Sequence, residues 1–392
     1  MKKFWVLALA LMMLLSTASV YAADIDWEHA TDEELYALAK EEPGDINIYA
    51  ISSRMQKVAD KFNETYPGLH AVAYDLDQDE AIAKVKIEAE TGNVNADVLQ
   101  CKDTAGEIYY DFYPLGYITS FFPADIVEKI SNKTLLDYGF PFYSALNFWY
   151  YNTALYPDGA PVKSWWDIIE KDENGQQKFA LITKEIGSED TYLSLFSSFV
   201  LNADLMETDY LAKFGKPIEF TYDPAIFGTE PNNYGWEYIY RFTQMKMTFI
   251  SDGDEVVEAV AKSTVPTLGF VSAGKITNRD ENNWPIDWVV PLTPYTATQN
   301  SNYLYLISNN NSPAGGRLFI RFLMGGADGQ SGGFDPFMKE GNWPIRSDVF
   351  NKKNPFAIED GGAIVTNIKD VYDIILDVKD FWVYNLNNNP NM

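Results

Sequence analysis

Residues 46–54 read Ile46-Asn47-Ile48-Tyr49-Ala50-Ile51-Ser52-Ser53-Arg54, a run of β-forming residues that breaks into two serines and an arginine. The period then changes. Met55, Val58, Ala59, Phe62 and Tyr66 recur every three or four residues, the spacing of one helix face, and Pro67-Gly68 ends the pattern. The same cycle repeats at once, with a predicted strand over 71–76, a helix through Ile82, Val85 and Ala89 closed by Gly92, and a strand over 97–100. Strands separated by single helices pair in parallel through right-handed crossovers, so the fold class is α/β.

Working outward, Thr31 and Glu34 form a capping-box pattern upstream, ahead of a short amphipathic helix stopped by Pro43-Gly44. Downstream a second α/β unit begins near Asn147. Phe148-Trp149-Tyr150-Tyr151-Asn152 reads as a strand, Ser164-Trp165-Trp166-Asp167 opens a helix, and 178–183 is a strand running into Ile186-Gly187-Ser188. A long helix through Leu193, Phe196 and Val200 follows, then a helix over 255–261, a strand over 267–271, and Val289-Val290 as a strand returning toward the first unit. The Asn-rich tail from Asn387 to Met392 is expected to be disordered.

Open parallel sheets hold ligands outside the carboxyl ends of their strands. Three polar loops have that address: Ser52-Ser53-Arg54, Asp77-Gln78-Asp79 and Lys102-Asp103-Thr104. The same residue types are also ordinary helix caps.

Composition narrows the setting. Lys2 and Lys3 precede an apolar run from Phe4 to Leu15, and Val20-Tyr21-Ala22 supplies small residues at a cleavage site, so residues 1–22 are expected to be a secretory signal peptide. The apolar run is shorter than the roughly 20 residues needed to span a bilayer. No cysteine adjoins the cut, which points to a free soluble form, periplasmic or secreted. The single Cys101 excludes an intrachain disulfide. A formal charge of −26 repels polyanions and argues against nucleic acid and anionic lipid as partners. Aromatic residues make up 15% of the chain, enough for large cores or an aromatic-lined cleft.

Catalytic patterns are missing. The two histidines are His29, outside the predicted sheet, and His70, at the start of a strand and so at the wrong end for a site. Zinc and calcium spacings are absent, and Gly325-Gly326 and Gly332-Gly333 lack the Lys-Ser or Lys-Thr of a phosphate-cradling loop. No cofactor or metal is expected, and the chain does not read as an enzyme.

The order of elements resembles the periplasmic solute-binding proteins of ABC importers, in the group that includes ferric-iron, thiamine, polyamine and sugar-phosphate binders. The resemblance rests on Ile46-Asn47-Ile48-Tyr49 followed by Ser52-Ser53-Arg54, on Ala96-Asp97-Val98, on Tyr151-Asn152-Thr153 with Trp165-Trp166-Asp167, on Gly187-Ser188 at a helix start, and on Trp343-Pro344-Ile345-Arg346. It implies a type II fold: two lobes, each a mostly parallel sheet flanked by helices, joined by crossing strands. Lobe 1 would hold 23–146 plus 289–350, and lobe 2 would hold 147–288 plus 351–392. It also implies a monomer that closes about its hinge on a small-molecule solute and delivers it to a membrane permease. By the resemblance, Ser52, Ser53 and Arg54 would line the cleft from lobe 1 and Gly187, Ser188 and Thr191 from lobe 2; the strand-end loops add Gln78, Asp103 and Thr104 as candidates, and Ser272 is a further one. Trp149, Tyr150 and Asn152 lie near the crossing, where core packing is the alternative for Trp149. Ferric-iron members carry a tyrosine pair where this chain has Ser272-Ala273-Gly274. An anionic or phosphorylated solute, seated between Arg54 and helix N-termini near Ser53 and Ser188, is favoured. Ferric iron remains an alternative, as does an amine held by Glu189, Asp190, Asp77 and Asp79. The rival classes are a secreted enzyme and a ligand-sensing partner of a membrane receptor.

Overall fold

The computed structural model describes residues 25–390, so the expected signal peptide lies outside the described residues. Among the described residues no helix is long and apolar enough to cross a membrane.

The first third of the chain folds as the periodicity predicts. Helix α1 (Asp32–Ala39) opens with the Thr31–Glu34 capping box. It is followed by β1 (Ile46–Ala50), α2 (Arg54–Thr65), β2 (Ala71–Asp75), α3 (Gln78–Thr91) and β3 (Val98–Lys102). Strands β4 (Ile118–Thr119) and β5 (Phe140–Ala145) complete this stretch. The smaller unit contributes β6 (Asn147–Asn152), β7 (Ala180–Thr183), α4 (Asp190–Leu201), α5 (Ala203–Phe214), α6 (Tyr234–Thr243), β8 (Met247–Phe249), α7 (Gly253–Lys262), β9 (Thr267–Ser272) and β10 (Ile286–Trp288). The last segment holds β11 (Ala297–Thr298), β12 (Asn300–Ile307), α8 (Pro313–Leu323), β13 (Asn342–Pro344), β14 (Ala363–Ile364) and α9 (Ile368–Asn387).

Two main sheets result. One runs β13-β5-β12-β3-β1-β2 with β4 on β12, the other β10-β6-β9-β7-β8. Each keeps the parallel trio that the β-α-β repeats predict, β3-β1-β2 in the first and β9-β7-β8 in the second. The strands that lead between the sheets add antiparallel pairings, so both sheets are mixed.

Alternation along the strands divides the cores. In β12, Leu304 and Leu306 face one hydrophobic cluster while Tyr303, Tyr305 and Ile307 face another. In β6, Phe148 and Tyr150 go to one side, Trp149 and Tyr151 to the other. Both sheets are thus buried on both faces, as sheets flanked by helices must be.

The chain passes between the sheets at three neighbouring places. Leu146 alone separates β5 from β6, and its carbonyl accepts from Ala273 N at 2.8 Å. Gln299 separates β11 from β12; its N–H donates to Ile364 O at 2.7 Å, and its Nε2 donates to Ser144 Oγ at 2.8 Å. The third pass brings the chain from β13 to β14, which pairs with β11.

The expected return to the larger sheet at 289 comes later. Val289-Val290 is no strand: Val289, Leu292 and Tyr295 stay packed in the core of the smaller lobe. Pro291 and Pro294 have no backbone N–H to give to a ladder, so pairing stops at Trp288. The tail also differs from expectation. Helix α9 runs to Asn387, and Asn389 donates through Nδ2 to Thr243 O at 2.7 Å and Met245 O at 3.1 Å, which docks the described end of the chain.

Candidate ligand cleft

At the carboxyl end of β1 the chain turns through Ser52, whose carbonyl accepts from Met55 N at 2.9 Å. Ser53 precedes α2 but gives it no side-chain cap, so the first-turn N–H groups of α2 are not satisfied by its hydroxyl. Ser52 Oγ is 3.4 Å from Arg54 N. The Arg54 side chain forms no ion pair with another described residue; its charge acts on Tyr143 and on Lys339.

Strand register brings Tyr143 to this place. Asn302 in β12 is opposite Lys102 in β3 on one side and Tyr143 in β5 on the other. Direct cross-strand partners share a face, so Lys102, Asn302 and Tyr143 form a row on the side where α2 begins. Burial pushes the Tyr143 hydroxyl up to about 12, with Arg54 pulling the other way. Asn302 is fully buried. Its Oδ1 accepts from Gln100 Nε2 at 2.8 Å, while its Nδ2 has no partner among the described residues. Gln100 Oε1 in turn accepts from Ile51 N at 3.2 Å, tying the row to the β1 turn.

Lys339 comes from the loop before β13. A Cβ on Gly274 would stand 2.7 Å from its Nζ, so the ammonium lies against the turn that follows β9 in the other lobe. Gly341, at φ +87°, makes the neighbouring approach: a Cβ there would meet Gly274 N at 2.5 Å. Only glycine at 341 tolerates both the backbone conformation and the contact. Beside it, Arg279 Nη2 donates to both Glu340 oxygens, at 2.9 and 3.2 Å, a second tie between the lobes. Burial, then the Arg54 and Lys275 charges, bring the Lys339 ammonium down to about 8. Lys275 is paired with Asp254 at 2.7 Å, whereas Lys339 has no ion-pair partner among the described residues.

Lys102 is a third cation at the edge. Burial lowers its pKa, and the charges acting on it from across the cleft are Glu189, which raises it, and Lys184, which lowers it. Glu189 and Lys184 are themselves an ion pair.

Several residues named from sequence have other work. Trp149 is 1% exposed, its ring 5.0 Å from that of Phe270 and 6.2 Å from that of Trp165, so it belongs to the core of the smaller lobe. Tyr150 is fully buried and donates to Ser272 O and Ala273 O at 2.9 and 2.8 Å, which holds the turn after β9 and keeps the phenol protonated. Asn152 is buried and donates through Nδ2 to Val260 O and Ala261 O, closing the end of α7. Asp103 is buried and accepts from Ile108 N at 3.1 Å and Tyr109 N at 3.0 Å, a cap on the turn that follows; burial pushes it up to about 7. With Thr104 it lines a small, partly open cavity between the lobes, shared with Ser194, Gln299 and Ser301. Gln78 Oε1 accepts from Lys102 N at 3.2 Å and so braces the end of β3.

In the second lobe the expected helix start also moves. Ile186–Ser188 is a 3-10 turn, and α4 begins at Asp190 with Glu189 as its cap residue. Glu185 Oε1 accepts from Gly187 N at 3.0 Å and from Trp382 Nε1 at 2.9 Å, so a carboxylate already sits where an anion was expected. Gly187 is buried against Trp382, so closely that a Cβ would stand 3.0 Å from Trp382 Cδ1. Ser188 donates its hydroxyl to Glu185 O at 2.8 Å. Thr191 is half-buried in the first turn of α4, and Ser272 is half-buried beside Gly274.

The sequence reading named Arg54 and did not join it to Gln100, Lys102, Tyr143, Asn302 and Lys339, which the structure gathers beside it. Only Lys102 carried a signal, as the first residue of the polar loop Lys102-Asp103-Thr104; the structure makes it the last residue of β3.

No family model and no curated protein matches the sequence. Solved structures do match in shape. The apo ferric ion-binding protein A of Pasteurella haemolytica superposes with a TM-score of 0.62 at 12% identity, over 88% of this chain and 99% of that one. The Atu4243-GABA receptor matches with a TM-score of 0.60 at 12% identity, over 88% and 98% of the two chains. The periplasmic binding protein AfuA of Actinobacillus pleuropneumoniae, with fructose-6-phosphate bound, matches with a TM-score of 0.55 at 14% identity, over 88% and 97%. Agreement over nearly the whole length of each, at such low identity, establishes architecture: the chain has the two-lobed α/β fold of the periplasmic solute-binding proteins.

Proposed function

We propose that the chain is the solute-binding component of an ABC-type importer and that it captures a small anionic solute between its lobes. The observation that carries the reading is charge. In a chain with 30 basic and 56 acidic residues, Arg54, Lys102 and Lys339 face the cleft without an ion-paired carboxylate among the described residues. Partly buried cations are normally paired, because an unpaired charge away from water is costly. A bound anion supplies the missing partner and, by touching both lobes, favours the closed arrangement that a permease reads. The neighbours in shape that bind iron, GABA or a sugar phosphate are all binding proteins, which supports a receptor over an enzyme on this fold.

An amine would need the acidic groups instead. Asp79, Glu107 and Asp190 act on one another across the lobes, which favours this second reading. Against it, Glu189 is already paired with Lys184. Tyrosinate binding of ferric iron finds no support at Tyr150, whose hydroxyl is spent on two carbonyls. Mass spectrometry of small molecules released from protein purified without refolding decides the matter. An anion is expected, and a polyamine or stoichiometric iron refutes the reading.

A further inference from the structure

We propose that the solute is a dianion whose two charged ends are held apart, one by Arg54 and Lys339 and the other by Lys102. This rests on the anion reading above and adds the number and spacing of the charges.

Strand register sets the spacing. Lys102 and Tyr143 stand on either side of Asn302 in adjacent strands, so their backbones are two strand spacings apart, about 10 Å. Tyr143 is under the influence of Arg54, which is near Lys339. The charges acting on Lys102 are instead Glu189 and Lys184. The cations therefore form two separate groups at the ends of a row. Each group remains positive after the acting charges are counted: Lys184 cancels Glu189, leaving Lys102, while Asp254 cancels Lys275 and Glu281 offsets one of Arg54 and Lys339, leaving one net positive charge at that end.

Between the ends the lining is neutral and polar. Tyr143 brings a protonated phenol, and Asn302 is held by Gln100 with its amide nitrogen unpartnered. Beyond Lys102 the field reverses, since Asp190 follows Glu189 and acts with Asp79 and Glu107. A longer anion is repelled there. A monoanion satisfies one end and leaves an unpaired ammonium to be enclosed at the other, so the cleft selects against it by desolvation rather than by shape.

The test uses the mature full-length chain and two matched pairs of probes, suberate against monomethyl suberate and 1,6-hexanedisulfonate against 1-hexanesulfonate, in calorimetric titrations at pH 7. In at least one pair the dianion is expected to bind about tenfold tighter than its monoanionic partner. In Lys102→Met that advantage disappears while the affinity of the monoanion holds, and in Lys102→Arg, which keeps the charge, it persists. The Lys102→Arg variant also guards against reading a folding defect as a binding effect. Equal binding of mono- and dianions by the native chain overturns the proposal and leaves the anion reading intact, as does an equal loss of both in Lys102→Met. If no probe binds and the native protein releases a monoanion, the proposal alone falls; if it releases a neutral or cationic molecule, both fall.

Discussion

Lys339 should make the folded protein less stable than it would be without it, and the penalty should depend on pH in a defined direction. Its ammonium titrates near 8 in the folded chain, because burial and the Arg54 and Lys275 charges oppose the proton. In the unfolded chain a lysine titrates near about 10.4. Between those values the unfolded state binds more protons than the folded one, so stability rises with pH across the window. The penalty is full below pH 8 and gone above about 10.4. Taken at face value the difference is worth roughly 3 kcal/mol at pH 7. Lys339 is not sealed from water, and screening brings the figure to about 1–2 kcal/mol. Replacing it in Lys339→Met keeps the stem and removes the charge. Urea unfolding followed by tryptophan fluorescence should therefore show the variant more stable by about 1–2 kcal/mol at pH 7, with the gap closing near pH 10. A variant less stable than the native chain at pH 7, or a gap of the same size at both pH values, refutes the assignment of Lys339 as a buried cation kept for a ligand.

Asp103, pushed up to about 7 by burial, works in the opposite sense: its raised folded value means that stability present at pH 4 is lost as pH rises toward 7. In Asp103→Asn that slope should flatten in the same unfolding assay. Gly341→Ala should lower stability by more than about 1 kcal/mol, from the positive φ and the contact with Gly274, and small-angle scattering should show the lobes further apart. Deleting residues 388–392 removes the two Asn389 hydrogen bonds and should cost about 1–2 kcal/mol, against no change for a disordered tail.

The β-α-β core over 46–102 was legible because period alone separates an alternating or apolar strand from a helix face, and its ends carry Gly92 and Pro67-Gly68 as stops. The loop at Ser52-Ser53-Arg54 followed from that core. Trp149 and Tyr150 were not legible as core, since a strand apolar on both faces looks the same whether it lines a cleft or lies between two helical layers. The proposed anion seat was hidden for another reason. Lys102, Tyr143, Asn302 and Lys339 come from four distant segments, and what assembles them is the pairing of β12 with β3 and β5 and the glycine contact at 341, neither of which has a local pattern. The helix start near Ser188 failed because Glu185, three residues earlier, supplies a carboxylate that a count of capping residues does not place.

The three passes between the lobes are stitched side by side, Gln299 reaching both Ile364 and Ser144. Such a seam acts as a door hung on several adjacent pins. Swinging about the line of the pins leaves those bonds nearly unchanged, whereas sliding or twisting one lobe across the other stretches them all together. The joint therefore has one soft degree of freedom. A solute that touched both lobes, as proposed above, would draw Arg54 and Gly274 along a single arc, and the distance between Arg279 and Glu340 would report how far the door had travelled.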